Sequence, residues 1–466
     1  MNLIVKEMIY VPIFKRAVFF MSFFCFVCTL DWEINVSKTN ERVFGMKKKA
    51  FVTIPLCIVL AILIATSFVL ISTKPSTPYI LKPQQLAETT KPAVVRIVDY
   101  AIVKWTITLE DERVTRVLKK WDYKTELDGF GSGAIINSDG YIVTNAHVLI
   151  YSHQLSDHDI VSEAFSVLVD DVAMENNWTH KSTDAYLKKY ISYEILQKGV
   201  DVYLPTVDDP ISAVVKSYQQ PTDHGKDVAL LKIDGSNYPT IPLGNSDSIQ
   251  DQDNIWVIGY PAAADSRLLS MHSYVIPTMN KGQISAISKT TLTGSPVLQI
   301  NAASTHGNSG GPIINNKGQL IGLLTFRGNT VNDQEVQGFH FAVPVNTLKK
   351  VVSKADVKDT NGQTDKLFKE GLTFYWAGYY KNALSKFEAV QHIYPNHPEV
   401  KRYIYESKQK VGLSKTLWAE HKTSFYIQDV IASLLILILL LYTFTFNSEN
   451  KSNTSSKTPS PDNGSD

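Results

Sequence analysis

GSGAIINSDGYIVTNAHVL, residues 131–149, sets two short runs of apolar, largely β-branched residues on either side of Ser138-Asp139-Gly140. Val and Ile crowd a helix but fit the pleated surface of a strand. Glycine between two such runs supplies the positive φ that a tight turn needs, so the stretch reads as a β-hairpin. Working outward, the same grammar recurs in AVVRIV (93–98), DVALLKI (227–233), NIWVIGYP (254–261), GQISAIS (282–288), PIINNKGQLIGLLTF (312–326) and FHFAVPV (339–345), with Asn316-Lys317-Gly318 as a second hairpin turn. Many short strands joined by tight turns between Gln84 and about Lys350 predict a mainly β region, a barrel or a sandwich.

The whole chain is 466 residues long, and 46 Lys and Arg against 45 Asp and Glu leave a net charge of +1. That balance lacks the bulk positive charge of a general nucleic-acid binder, so no nucleic-acid partner is expected. The three cysteines, Cys25, Cys28 and Cys57, all lie in apolar runs near the N-terminus. The remaining chain therefore has no disulfide framework and no cysteine zinc site, and a nucleophile there must be an oxygen or an amine.

Two runs are long enough to cross a hydrocarbon core. Ala50–Ser72 carries no charge over about 23 residues, and Phe425–Phe446 carries one, Asp429, near its end. Lys47, Lys48 and Lys49 before the first run place its N-terminal side in the cytoplasm by the positive-inside rule, leaving the chain between the spans extracytoplasmic. Met46 followed by these lysines and an apolar run also reads as a translation start. The expected organisation is an N-terminal segment (1–49), a transmembrane helix (50–72), a linker (73–83), a β domain (84–352) with an insertion at about 151–222, a linker (353–364), a helical module (365–412), a second transmembrane helix (425–446) and a tail of disordered composition (447–466).

Three residues of the β region form a chemical set. His147 ends the strand YIVTNAHVL, Asp227 precedes the strand VALLKI, and Ser309 lies in THGNSGGPI (305–313). A hydroxyl is a poor nucleophile at neutral pH, so it needs an imidazole to take its proton and a carboxylate to orient that imidazole. The glycines around Ser309 permit a backbone turn that aims the amides of Gly307 and Ser309 at a developing oxyanion. Asp223 and His224 lie close by, but the strand motif begins at Asp227. Gly131 and Gly133 read as packing or turn positions. This chemistry calls for no metal and no other cofactor.

GSGAIINSDGYIVTNAHVL, DVALLKI, LGNSD, VIGYP and THGNSGGPIIN, in this order from about Val94 to Leu348, resemble the HtrA/Deg group of trypsin-like serine peptidases. The resemblance implies two six-stranded β-barrels with the site in the cleft between them. It also implies His147 as general base, Asp227 as orienting carboxylate, Ser309 as nucleophile and the amides of Gly307 and Ser309 as oxyanion donors. The position six residues before the nucleophile, acidic in enzymes that select Lys or Arg, is Ala303; with Ser304 and Phe341 it implies a pocket for a small or medium aliphatic side chain. A membrane-anchored endopeptidase acting on unfolded or membrane-proximal proteins is the function implied, and members of that group are often trimers. The alternative is a catalytically silent scaffold that uses the same fold to bind peptides.

Two departures from that group stand out. His147 and Asp227 are 80 positions apart, which leaves room for an insertion of about 40 to 50 residues, far beyond an ordinary connection. Within it Leu187, Ile191 and Ile195 recur at i, i+4 and i+8 up to Gly199, predicting an amphipathic helix over 182–199, a flank element or a lid. His153, His158 and His180 there fit no metal-binding spacing. After Lys350 no PDZ domain is legible. Instead Gly371, Phe374, Gly378, Ala383, Phe387 and Pro395 match a tetratricopeptide repeat, followed by a third helix. One such repeat is too small to stand alone, so it should lean on the β domain, the membrane or a protein partner, with Phe374, Tyr375, Trp376, Tyr379 and Tyr380 as packing.

Overall fold

The computed structural model describes residues 40–445 apart from 77, 79, 110, 220–225, 267, 328–337 and 359–361. The segment before residue 40, the tail from residue 446, and Asp223 and His224 lie outside the described residues. By contact the chain divides into two units, one of Met1–Pro75 with Lys415–Asp466 and one of Ser76–Ser414.

In the first unit, helix α1 (Asn40–Ser72) carries the first apolar run. Its stretch Thr53–Ser72 is long and apolar enough to cross a membrane, and Ile54, Val59 and Phe68 stay exposed along it.

The second unit begins with α2 (Pro83–Thr90) and enters β1 (Val94–Ile107), α3 (Glu112–Lys120), β2 (Lys124–Asn137) and β3 (Tyr141–Thr144). The insertion supplies α4 (Asp157–Asn176) and α5 (His180–Tyr190). The chain then returns through β4 (Ile191–Tyr203), β5 (Ile211–Gln219) and β6 (Val228–Ile233). These six strands close into a barrel in the order β1-β2-β3-β6-β5-β4. A second barrel, in the order β10-β11-β12-β9-β8-β7, is built from β7 (Asn254–Gly259), β8 (Thr278–Thr290), β9 (Pro296–Ile300), β10 (Pro312–Ile314), β11 (Leu320–Arg327) and β12 (His340–Pro344).

The alternation read from the sequence is what closes them. Ile97, Ile135, Ile142 and Leu230 fill the first barrel, and Ile255, Ile284, Ile300, Ile313 and Ile321 fill the second. Closure leaves neither sheet with an open edge. Both expected hairpin turns are present, with Gly140 at φ +91° and Gly318 at φ +73°, the left-handed region that only glycine enters freely.

β1 and β4 run on beyond the barrel as a two-stranded ribbon, with Ile107 opposite Ile191. Helices α3, α4 and α5 cover it and bury Trp105, Leu118, Ile160, Leu168, Val172 and Leu187 in a core of their own. The helix expected over 182–199 stops at Tyr190, and residues 191–199 open β4. Ile191 and Ile195 satisfy a spacing of two as well as four, and pairing with β1, far upstream, selects the strand.

After β12 the chain forms α6 (Val345–Lys354) and then α7 (Gln363–Trp376), α8 (Tyr380–Ile393) and α9 (Val400–Lys410). These last three bury Phe368, Leu372, Phe387, Val390 and Tyr403 together. Gly371 sits so near the Phe387 ring that an added Cβ would lie 2.6 Å from it. The module rests on the segment joining β6 to β7. The Asp365 carboxylate accepts the Thr240 amide at 3.0 Å and its hydroxyl at 2.5 Å, Thr364 Oγ1 donates to the Asn237 carbonyl, and the Tyr238 and Tyr394 rings meet edge to face. Arg402 on α9 pairs with Glu88 on α2 at 2.7 Å.

The first unit resumes with α10 (Lys422–Thr445). Trp418–Thr443 is the second stretch long and apolar enough to cross a membrane.

Candidate active site

The strand end after β3 and the residue before β6 bring His147 and Asp227 together across 80 positions of sequence. His147 Nδ1 lies 2.9 Å from Asp227 Oδ2 and 3.1 Å from Oδ1, and the His147 amide donates to Oδ1 at 3.0 Å. The Thr325 hydroxyl, on β11, donates to Oδ2. Burial pushes the Asp227 carboxyl up, but the hydrogen bonds and charge of His147, helped by Thr325, outweigh it and hold the group below the ordinary carboxylate range. Asp227 sits at φ +48°, a conformation Asp tolerates better than most residues and one held by its surroundings.

Ser309 arrives from the second barrel. Its Oγ donates to the Thr325 carbonyl at 3.3 Å, so Thr325 touches Ser309 through its backbone and Asp227 through its side chain. The segment around it is held by its carbonyls. The His306 carbonyl accepts the Ala262 amide at 2.7 Å, the Asn308 carbonyl the Gly311 amide at 2.9 Å, and the Ser309 carbonyl the Ser132 amide at 2.8 Å. Ser132 Oγ donates to the Gly307 carbonyl at 2.7 Å and accepts the Tyr260 amide at 2.9 Å. In a planar trans peptide the N–H points opposite to the C=O. With the carbonyls of His306 and Asn308 turned into the scaffold, the amides of Gly307 and Ser309 face the other way, and neither has an acceptor among the described residues. Gly307, at φ +87°, admits no side chain, because a Cβ would strike the Tyr260 carbonyl and the Phe130 ring.

Gly131 and Gly133 are packing positions: a Cβ on the first would lie 2.7 Å from Val148, and on the second 2.8 Å from Ile97 and Ile142. Of the expected pocket residues, Ala303 is exposed, with its carbonyl accepting Asn280 Nδ2. Ser304 is buried and meets His340 Nδ1 at 3.0 Å. Phe341 faces Lys289, whose Nζ lies 5.7 Å from the ring centroid. Ser132, Thr325 and His340 escaped the sequence reading. Ser132 lies between Gly131 and Gly133; a lone Thr on β11 and a lone His on β12 carry no spacing signal.

Immediately after His147, the Ile150–Gln154 turn is fastened by a buried carboxylate. Asp99, on β1, accepts the Tyr151 amide at 2.6 Å and the Ser152 amide at 3.2 Å. Burial pushes the Asp99 carboxyl up to about 6, against these hydrogen bonds and the charge of Lys198. A carboxyl whose folded value is raised stabilises the protein fully below its unfolded value near 4, and that contribution is lost as pH rises through about 6. Asp99→Asn is therefore expected to gain stability relative to wild type, on the order of 2 to 3 kcal/mol, between pH 4 and pH 7. Urea midpoints at both pH values test this; a difference independent of pH would reject it.

Among the described residues no three His, Cys, Asp or Glu side chains gather to hold a metal ion. His158 and His180 are largely exposed, beside Asp159 and Asp170, while the His153 ring lies 5.5 Å from that of Tyr218.

Residues 131–323 match the family model of the trypsin-like peptidase domain. A protein of Pseudomonas putida named "Probable periplasmic serine endoprotease DegP-like" is 29% identical over 249 residues, covering 52% of this chain and 38% of that protein. HhoB of Synechocystis sp., which bears a serine protease name, is 27% identical over 236 residues, covering 49% and 41%. Among solved structures, the HtrA-type protease AlgW with a decapeptide has 21% identity and a TM-score of 0.38 over 59% of this chain and 68% of its own. The chain spans about two-fifths of the length of the curated relatives it matches. The two closed six-stranded barrels have the trypsin-like double-barrel fold, with His147 and Asp227 on the first barrel and Ser309 on the second.

Proposed function

We propose that the protein is a membrane-anchored serine endopeptidase in which Ser309, His147 and Asp227 hydrolyse peptide bonds through an acyl-enzyme. The carrying observation is the bidentate approach of His147 Nδ1 to Asp227, within one residue, Thr325, of the Ser309 hydroxyl. With Nδ1–H committed to the carboxylate, Nε2 is the nitrogen that takes the Ser309 proton as Oγ attacks the scissile carbonyl. The oxyanion is received by the amides of Gly307 and Ser309. Imidazolium then protonates the leaving amine, and water, deprotonated by the same imidazole, releases the acid and restores Ser309. Before attack, Ser309 Oγ leaves the Thr325 carbonyl by rotation about its Cα–Cβ bond.

Thr53–Ser72 and Trp418–Thr443 anchor the chain in this reading, with the peptidase domain on the extracytoplasmic side of the cell membrane, consistent with Lys47 to Lys49 before the first span. The substrates are unfolded or membrane-proximal polypeptides, with a small or medium aliphatic residue before the scissile bond, and Ala303, Ser304 and Phe341 line that pocket. The tetratricopeptide-like module α7–α9 serves as spacer or as docking surface for a protein partner, and the protein assembles as a homo-oligomer. The test is to treat the solubilised full chain with a fluorophosphonate and map the adduct by mass spectrometry. An adduct on Ser309 is expected. A folded protein that binds peptide but takes no adduct would favour the silent scaffold, a reading supported by the rest position of Ser309 Oγ on Thr325.

A further inference from the structure

We infer that Arg96 is a positioning residue for the oxyanion amides, acting through Asp265 and the Pro261–Asp265 turn on the His306–Gly307 peptide. The inference rests on the peptidase reading above.

Gly307 lacks a Cβ, and glycine occupies positive and negative φ about equally well. The peptide before it could therefore rotate, presenting the His306 carbonyl where the Gly307 amide now points and abolishing one oxyanion donor. What opposes the rotation is the Ala262 amide, 2.7 Å from the His306 carbonyl oxygen. Ala262 belongs to a tight turn closed by Asp265, whose amide donates to the Ala262 carbonyl at 3.0 Å. The rest of this connection between β7 and β8 has little core of its own: Leu268 is 95% exposed and Met271 77%.

Arg96 fastens both ends of the connection to β1. Its Nη1 donates to Asp265 Oδ2 at 2.7 Å and to the Tyr274 carbonyl at 3.3 Å. The pair is largely shielded, with side chains only 13% and 22% exposed, so it is less screened than a surface ion pair. The guanidinium also lies 4.0 Å from the centroid of the Phe130 ring, the same ring that bounds the space at Gly307. One side chain on a rigid strand thus touches the turn that holds the peptide and the aromatic that roofs it, while making no contact with the reacting atoms.

The experiment uses the solubilised full chain with a valyl peptide anilide as substrate. A valyl peptide aldehyde, which becomes an oxyanion when Ser309 adds to it, and the matching alcohol, which does not, serve as inhibitors. Arg96→Ala is expected to lower kcat by about 10- to 100-fold, less than deletion of an oxyanion donor, with KM within about twofold. Aldehyde affinity should fall by the same factor and alcohol affinity should hold. Arg96→Lys should lie between, and Arg96→Asp combined with Asp265→Arg should recover most of the loss. If Arg96→Ala does not fold, Asp265→Asn is expected to give the same separation of aldehyde from alcohol. Equal losses for both inhibitors, or an unchanged kcat, would overturn the role of Arg96. Wild-type protein that takes no fluorophosphonate on Ser309 would overturn the peptidase reading and this inference with it.

Discussion

Ser309→Ala is expected to lower hydrolysis of a valyl peptide anilide by on the order of 10⁶-fold, down to the residual rate that binding and oxyanion donors give without a nucleophile. Removing Oγ deletes one long hydrogen bond, 3.3 Å to the Thr325 carbonyl, at a half-buried position. Stability should change by less than about 1 kcal/mol. The backbone amides of Gly307 and Ser309 are untouched, because the carbonyls that orient them, those of His306 and Asn308, are held by the amides of Ala262 and Gly311. Folding and peptide binding should therefore persist while turnover disappears. Turnover and thermal melting measured on one preparation check this, and a loss below about tenfold would place the nucleophile elsewhere.

Asp227→Asn is expected to cost about 10⁴-fold in kcat with little change in KM. Both carboxylate oxygens accept hydrogen bonds: Oδ1 from the His147 amide and ring, Oδ2 from the ring and the Thr325 hydroxyl. An amide at this position has one acceptor atom where two are used. Its Nδ2 can donate to the His147 ring, which moves the ring proton to Nε2 and leaves nothing to receive the proton of Ser309. The backbone gives no reason for the variant to misfold, since Asn accepts φ near +48° at least as readily as Asp. Because the wild-type carboxyl is held below the ordinary range, acidification to pH 5 should leave it ionised, which difference infrared spectra of wild type against Asp227→Asn at pH 5 and pH 8 check. A protonated-carboxyl band at pH 5 that the variant lacks would mean that Asp227 titrates there.

Much of this was legible from residues alone because the signals are local. Two runs of Val and Ile about a glycine specify a hairpin without reference to anything distant, and Gly371, Ala383 and Phe387 predicted a helical pair that the buried contact of Gly371 with Phe387 reproduces. The meeting of His147 with Asp227 was legible through their flanking strands. What escaped depends on partners far along the chain. Residues 191–199 carry a pattern compatible with either period, and only β1 makes them a strand. Helix α4, with Ile160, Ala164, Leu168 and Val172 on one buried face, does follow helical spacing, a signal as local as that of the hairpins. Ser132, Thr325, Asp99 and Arg96 belong to no spacing pattern; Ser132 meets Gly307 across 175 positions, and such a pairing exists only once the barrels have closed.

The seat of the helical module bears on how such a chain can change over evolutionary time. Asp365 is buried and accepts both hydrogen bonds that Thr240 offers, while Asn237 and Tyr238 face the same helices. Exchange of this module for another domain by recombination at residue 358 would strand polar groups on the β6–β7 segment and uncover the Tyr238 ring, each a sizeable penalty. A viable exchange would have to carry residues 234–241 along with the incoming domain, so the unit of inheritance cuts across the boundary drawn between barrel and helices.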